Sequence, residues 1–470
     1  MGGPGCHPQP KPDVSPPAAA LQLWVNASST SSGDGSAQRP FKTLAEALAR
    51  SGEGSIRIHL AAGLYAGPFR TVGPVQIVGG PSSVLFAEGS AAVLVPGAEI
   101  DFEGIAIQGG SIGIDATRRV GLHGVRFTGQ RSTAVLLRGA PLVADASTFS
   151  ASVSETRGVV LEEDATAEIS GCAFLGPYRR AVESKSRGSV RIRNSRFEGP
   201  VIGVHQTAGA VRVERTSFAG GRGPAIFAAH GRLELFDVDV HGHEYGVQCG
   251  EGAALSANRL SSTRADRAGI ALAKASAELE EVLIADSGSF GGVQLVNSAA
   301  SLRRFWIQGG ESYGIHARDS RLTAADGAIT QIKDRGGHAG DGVHVRGGTA
   351  TFDSISIRTV AGAGALAAEG AQLSMRDVAL ESCHLAGLVA ETLAKVRGSS
   401  LLVRSAGGAA IVVPGEADVQ VDLLSSEHNS GGAVWAECGS GARVVLSRLS
   451  GDSLGGASIR CVRLAASPAR

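Results

Sequence analysis

Val190-Arg191-Ile192-Arg193-Asn194-Ser195-Arg196-Phe197 and, one repeat further on, Val211-Arg212-Val213-Glu214-Arg215-Thr216-Ser217-Phe218 carry one pattern. Apolar and polar residues alternate, and a phenylalanine closes the run. Alternation with a period of two marks a strand with one buried face. Outward from this pair the phrase keeps recurring. A small residue followed by an apolar β-former starts a short strand in each unit. Its apolar member runs from Ile114, Val135 and Val159 through Val343, Leu366 and Leu388 to Ile411, Val434 and Ile459. The interval is nearly constant and lengthens markedly once, between Ile315 and Val343. A second column runs from Phe127, Phe149, Phe174, Phe197 and Phe218 through Val240, Leu260 and Ile284 to Val403, Leu424 and Leu449. Two columns that keep step over so many units define an internal repeat.

A period near 23 with two or three alternating runs per unit restricts the architecture. Helical spacing is absent from the units. A leucine-rich repeat would need regular Leu and an Asn or Cys ladder, and a propeller blade about 40 residues or more. Three short strands joined by turns make one coil of a parallel β-helix. The fold class is therefore all-β: a single-stranded right-handed parallel β-helix of about sixteen coils. Coils stacked about 4.8 Å apart would form a rod on the order of 75 Å long. Composition suits it. Gly contributes 66 of 470 residues and aromatics only 4%, as tight turns and a narrow interior require.

The open ends of such a rod need caps. Thr43-Leu44-Ala45-Glu46 is a capping box, and Leu44, Ala45, Ala47, Leu48 and Ala49 give a short α-helix with an apolar side to lay over the N-terminal end. Residues 1–20 read as a Pro-rich tether without reason to pack, 21–90 as the cap and first coils, and 91–470 as the repeats. Lys plus Arg equals Asp plus Glu at 44 each, which gives no attraction for nucleic acid or anionic membrane. No apolar run reaches the roughly 18 residues of a membrane span.

Gly33-Asp34-Gly35-Ser36, Pro40-Phe41-Lys42-Thr43-Leu44, Ala47 and Ile56-Arg57-Ile58-His59-Leu60-Ala61-Ala62-Gly63-Leu64-Tyr65 resemble the opening of the pectate-lyase-like superfamily. The resemblance covers about residues 24–80 and implies a capping helix, a right-handed β-helix and polysaccharide as ligand. Gly5-Cys6 before the tether is similar to the mature start of a bacterial lipoprotein. That implies a lipid on Cys6 and an exported protein, anchored at the outer membrane, in the periplasm or on the cell surface. A plain flexible N-terminus is the alternative.

The superfamily's chemistries require residues that are mostly missing. There is no Asp-Asp pair, no Arg-x-Lys and no Asp-Pro-His, and Gly337-His338-Ala339 and Gly242-His243-Glu244 only half match a Gly-His-Gly motif. A lyase would need Ca²⁺ on clustered carboxylates. Glu162-Glu163-Asp164 is the densest acidic run and reads equally as a solvated turn. His241 and His243 share a side of a strand but lack an evident third metal ligand. No other cofactor is expected.

Two candidate sites remain. Directly after the first column, Gln294, His316 and His344 fall at an outward position on successive coils, about 5 Å apart, as a stripe that would bind a sugar chain or a metal through imidazole, or as an ordinary exposed ladder of the sheet. Trp306 joins them as an aromatic platform for the ligand. The longest coil, from Ile315 to Val343, carries its extra residues around Lys333, Asp334, Arg335, His338 and Asp341. Insertions in a repeat often carry function, so these are the catalytic candidates. Cys438 and Cys461, one coil apart, are placed for a disulfide, which an exported protein permits. Three functions stay open. The first is a non-catalytic exported or surface-tethered solenoid that binds polysaccharide or another surface protein along its length. The others are a polysaccharide lyase, hydrolase or epimerase, and a structural spacer.

Overall fold

The computed structural model describes residues 21–89, 91–336, 340–454 and 460–464. The chain is a parallel β-solenoid of about 17 turns with a period near 23 and one short helix near its N-terminus. Among the described residues, seventeen strands from Phe69–Thr71 to Val434–Ala436 form one continuous ladder, the first face. Two turns precede Ile114, which is why the count exceeds that of the sequence columns. The second face starts with Leu21–Val25 and Ile56–Leu60, and the third with Gly63–Ala66 and Ser83–Ala87. From Ala210–Ala219 onward, most coils carry both of these faces on one long bent strand. Every pairing among the described strands is parallel.

The interior is built of stacks. Phe127, Phe149, Phe174, Phe197 and Phe218 lie ring on ring, with centroids 4.6–4.9 Å apart and planes within 13° of parallel. The small residue of the repeated phrase faces this stack from the first face. A Cβ placed on Gly203 would stand 2.6 Å from the Phe218 ring, so glycine is required there for the two faces to close on each other. At the N-terminal end the helix Leu44–Ala49 buries Leu44, Ala47 and Leu48. Its first turn is tied by Thr43, whose Oγ1 accepts from the Glu46 amide while Glu46 accepts from the Thr43 amide at 2.9 Å.

Four positions of the repeat columns, Leu260, Leu366, Leu424 and Leu449, differ from the sequence reading. Ala365, not Leu366, pairs with Val343 and Leu388, and Leu366 stands outward between His344 and Val389. Gly364 takes the small-residue seat, so the inward apolar position falls one residue earlier in a run of alanines and glycines where alternation is silent. Ser262, not Leu260, pairs with Val240 and Ile284, while Leu260 belongs with Val238 and Val282. Likewise Ser426 pairs with Val403, and Leu424 with Leu401 and Leu449. Both serines point inward with an apolar residue two places earlier, and that neighbour shares their face. Ile459 lies outside the described residues.

Phe174→Ala removes a ring from the middle of the stack with a neighbour on each side to keep the gap open. We expect a loss of about 3–5 kcal/mol in chemical denaturation. A loss below about 1 kcal/mol would show that the phenylalanine stack does not hold the coils together.

Candidate functional site

The outer surface of the first face carries two columns of side chains. One is the position after the repeated apolar residue. The hydrogen-bonding register aligns Glu183, His205, Phe227, Gln248, Ala271, Gln294, His316 and His344 there, one per coil. The other lies three residues earlier on the same strands and places Tyr313 beside Asp341. Residues three apart on these strands both face outward because the small residue between them turns inward at the strand's start.

At the C-terminal half these columns build one compact group. Asp341 is almost fully buried, with a side chain 4% exposed. One of its oxygens accepts from the Ala363 amide at 2.8 Å and the other meets His344 Nδ1 at 2.8 Å. A carboxylate accepts from that nitrogen, so Nδ1 carries a proton, and in the neutral form of the ring the lone pair is on Nε2. Tyr313 stacks on His316 with centroids 4.7 Å apart, and it meets His344 edge-on at 5.2 Å. The His316 and His344 rings are 5.5 Å apart and perpendicular. Burial, helped by His344, Arg346 and Arg318, pushes His316 down to about 4, so it is neutral at ordinary pH. Burial and the Asp341 carboxylate raise the Tyr313 phenol, which keeps its proton. The group thus offers a polarised imidazole with an outward base, a neutral imidazole and a phenol.

A second polar group lies in the same columns toward the N-terminus. Glu183, with a side chain 1% exposed, sits 2.6 Å from Arg180, 3.6 Å from Arg157 and 3.8 Å from Lys185. Arg138 extends this network to Asp115 and Glu162. His205 follows on the next coil and stacks on Phe227 at 5.2 Å. Burial first, then Arg180 and Lys185, push His205 down to about 4. The carboxylate here is enclosed by cations and has no face for a ligand.

The other sequence candidates are distributed. Gln294 shares the ladder with His316 and His344. Trp306 stands on the outer surface of the third face, paired with Leu283 and Ala328, and donates to Gln308 at 3.2 Å. It therefore does not face the histidines. Lys333 follows the long strand Arg321–Ile332 and forms an isolated parallel bridge with Glu311, and Arg335 pairs with Glu311 at 2.7 Å. Asp334 lies between them in the chain, and His338 lies outside the described residues. Of the four described candidates, Asp341 is the one placed in the aromatic group.

Glu162 pairs with Lys185 and Arg138, and Asp164 with Arg187 at 3.0 Å, so two of the three acids of the run are paired from neighbouring coils. His241 bonds Thr263 on the third face while His243 is buried, so the two do not converge. Among the described residues no three His, Cys, Asp or Glu side chains converge to hold a metal. Cys438 and Cys461 are joined by a disulfide with Cα atoms 5.2 Å apart. Cys6 lies outside the described residues. Tyr313 escaped the sequence reading. Its signal was a repeated phrase, Tyr313-Gly314-Ile315-His316 and Asp341-Gly342-Val343-His344, on consecutive coils.

Residues 87–234 match the family model described as adenovirus EB1 55K protein / large t-antigen, 148 of the 470 residues (234 − 87 + 1). No curated protein sequence matches the chain. Three solved structures are similar. The N-terminal fragment of bacteriophage Phi29 gene product 12 has 9% identity and a TM-score of 0.34, over 85% of this chain and 87% of that one. The A-module of the Azotobacter vinelandii mannuronan C-5 epimerase AlgE6 has 10% identity and a TM-score of 0.26, over 91% and 95%. The catalytic unit of a GH87 alpha-1,3-glucanase from Streptomyces thermodiastaticus strain HF3-3 has 11% identity and a TM-score of 0.22, over 95% and 71%. Likenesses at this level assign no activity to the present chain.

Three histidines bear on pH, His205 and His243 buried and His316 half-buried. His205, His243 and His316 are each held down to about 4 by burial, from an unfolded value near 6.5. The unfolded chain therefore binds more protons between these values, and stability must fall as pH drops from about 6.5 to about 4. His205→Phe keeps the stacking on Phe227 and removes one titrating group. Thermal melts of this variant should show a shallower decline over that window than the wild type. Parallel curves would mean that His205 protonates as easily folded as unfolded.

Proposed function

We propose that the protein binds an extended, uncharged glycan chain along the outer surface of its first face, centred on Tyr313, His316 and His344. The observation that carries this reading is the packed group of one phenol and two imidazoles, flanked on the same ladder by Gln294. Rings offer flat surfaces to the C–H faces of sugars, and the amide, phenol and imidazole edges meet hydroxyl groups. Their repeat at one coil, about 4.8 Å, sets successive contacts along a chain rather than around a single small molecule. The cations nearest the group are already paired, Arg346 with Glu369 at 2.7 Å and Arg318 with Asp319 at 3.7 Å, which favours a neutral ligand over an acidic one.

The same reading places the protein outside the reducing cytosol. The Cys438–Cys461 disulfide closes the last described coils, and such bonds persist in oxidising compartments. A lipid on Cys6 would hold the rod at a membrane surface.

Glycan-array screening followed by calorimetry tests the proposal. The wild type should retain one or more neutral polysaccharides, and Tyr313→Ala and His316→Ala should each weaken binding at least tenfold while Trp306→Ala leaves it within twofold. Retention of acidic chains alone, or binding indifferent to the Tyr313 and His316 changes, would overturn it. A chain that binds no glycan would be a spacer or a protein-binding rod.

A further inference from the structure

We propose that Asp341 and His344 form a general-base pair that hydrolyses acyl esters carried by the neutral glycan on the first face. This rests on the binding site proposed above and adds a reaction to it. The geometry has the parts that water activation needs. Asp341 is fixed by the Ala363 amide at 2.8 Å and holds His344 Nδ1 at 2.8 Å, which sets both the tautomer and the orientation of the ring. The His344 side chain is 13% exposed, and among the described residues no hydrogen bond occupies its Nε2. A buried acid behind an imidazole with an open far side is the arrangement in which the carboxylate stabilises the charge that the ring acquires on taking a proton.

The neighbours complete the chemistry. Tyr313 and His316 lie 5.2 and 5.5 Å from the His344 ring, centroid to centroid, and both are neutral donors: a phenol O–H and an imidazole N–H. In the proposed step a water molecule gives a proton to His344 Nε2 while its oxygen bonds to the ester carbonyl carbon. The carbonyl oxygen takes up the negative charge and accepts from the Tyr313 or His316 donor. Collapse breaks the bond from the carbonyl carbon to the glycan oxygen, and the imidazolium returns its proton to that leaving oxygen. The products are a carboxylic acid and a free sugar hydroxyl. Atoms and charge balance without a further reactant. No serine, threonine or cysteine among the described residues is hydrogen-bonded to His344, so water is the nucleophile. An ester is favoured over a uronic acid as substrate because Arg346 and Arg318 are already engaged with Glu369 and Asp319.

Acetylated glucomannan and 4-nitrophenyl acetate are the probes, with acetate and nitrophenol release measured above the buffer rate. We expect the wild type to deacetylate both. His344→Gln should lower kcat at least 100-fold. Asp341→Asn should lower kcat similarly and leave KM for the glucomannan within twofold, because the acid acts only through the ring. Tyr313→Phe should lower kcat about tenfold. Melting curves within a few degrees of the wild type show that the variants are folded. No release above buffer by the wild type, or variants as fast as the wild type, would overturn the proposal. Retention of glucomannan on immobilised protein without turnover would sink the reaction and leave the binding reading standing. Turnover of 4-nitrophenyl acetate alone would sink the glycan as substrate.

Discussion

Every side chain of the repeats rests on its counterpart one coil away, and that single distance, about 4.8 Å, governs what each column can contain. Apolar columns tolerate like on like, and the five stacked phenylalanines show how far this can go. Charged columns tolerate it only with an acid at hand, because like charges at that spacing repel: Arg157 stacks on Arg180 with Glu183 between them, and Arg318 on Arg346 with Asp319 and Glu369. Elsewhere on the outer surface opposite signs meet on neighbouring coils. Arg187 lies on Asp164, Arg259 on Asp237, Arg376 on Asp353 and Arg404 on Glu427. Each exposed pair adds little to stability in water. Their value is in register, since a slip along the chain would set like charge against like.

The second requirement is that each coil turn three corners within a single repeat. The corner between the second and third faces is taken by a left-handed residue coil after coil: Asn194, Arg215, Asp237, Arg259, Glu281, Arg304 and Asp326 all have φ between 45° and 55°. Such a conformation costs an L-residue roughly 1–2 kcal/mol. Glycine avoids that cost, as at Gly124 and Gly171 in earlier coils. The charged residues offset part of it through pairing, since Arg215 reaches Asn194 at 2.8 Å and Arg304 reaches Glu281 at 3.1 Å on the coil below. High glycine content thus reports the corners only in part, and the remaining corners are invisible to a count of glycines.

What was legible in the sequence follows from these two rules. The fold was readable because inward stacking leaves an apolar residue at a fixed interval, and the capping helix was readable because Thr43 and Glu46 satisfy each other locally. Column membership was unreadable wherever two inward residues compete within one coil, as Leu260 and Ser262 do, or where alanine and glycine fill every position, as around Ala365. Sites suffered from a different loss. Spacing placed Gln294, His316 and His344 in one stripe because they share a strand position. It could not say that Trp306, so close before His316 in the chain, faces away from them. That requires knowing where the third face ends and the first begins, and the corner residues that decide it are chemically varied.

The contrast between the two polar groups on the first face explains why one of them is offered as a site. Both bury a carboxylate in the same outward columns, and burial alone therefore does not discriminate. Glu183 is enclosed by Arg157, Arg180 and Lys185, so its charge is consumed where it stands and nothing passes it on to the surface. Asp341 has one backbone amide and one imidazole, and the imidazole is the element that reaches solvent. Its carboxylate thereby fixes the orientation of the His344 ring, whose side chain is 13% exposed. The repeated phrase on consecutive coils supplies the two flanking rings at fixed distances on a sheet that cannot flex independently of its neighbours. Rigid spacing, which in the core serves only stability, at this point holds two imidazoles and a phenol with ring centroids within 5.5 Å of one another.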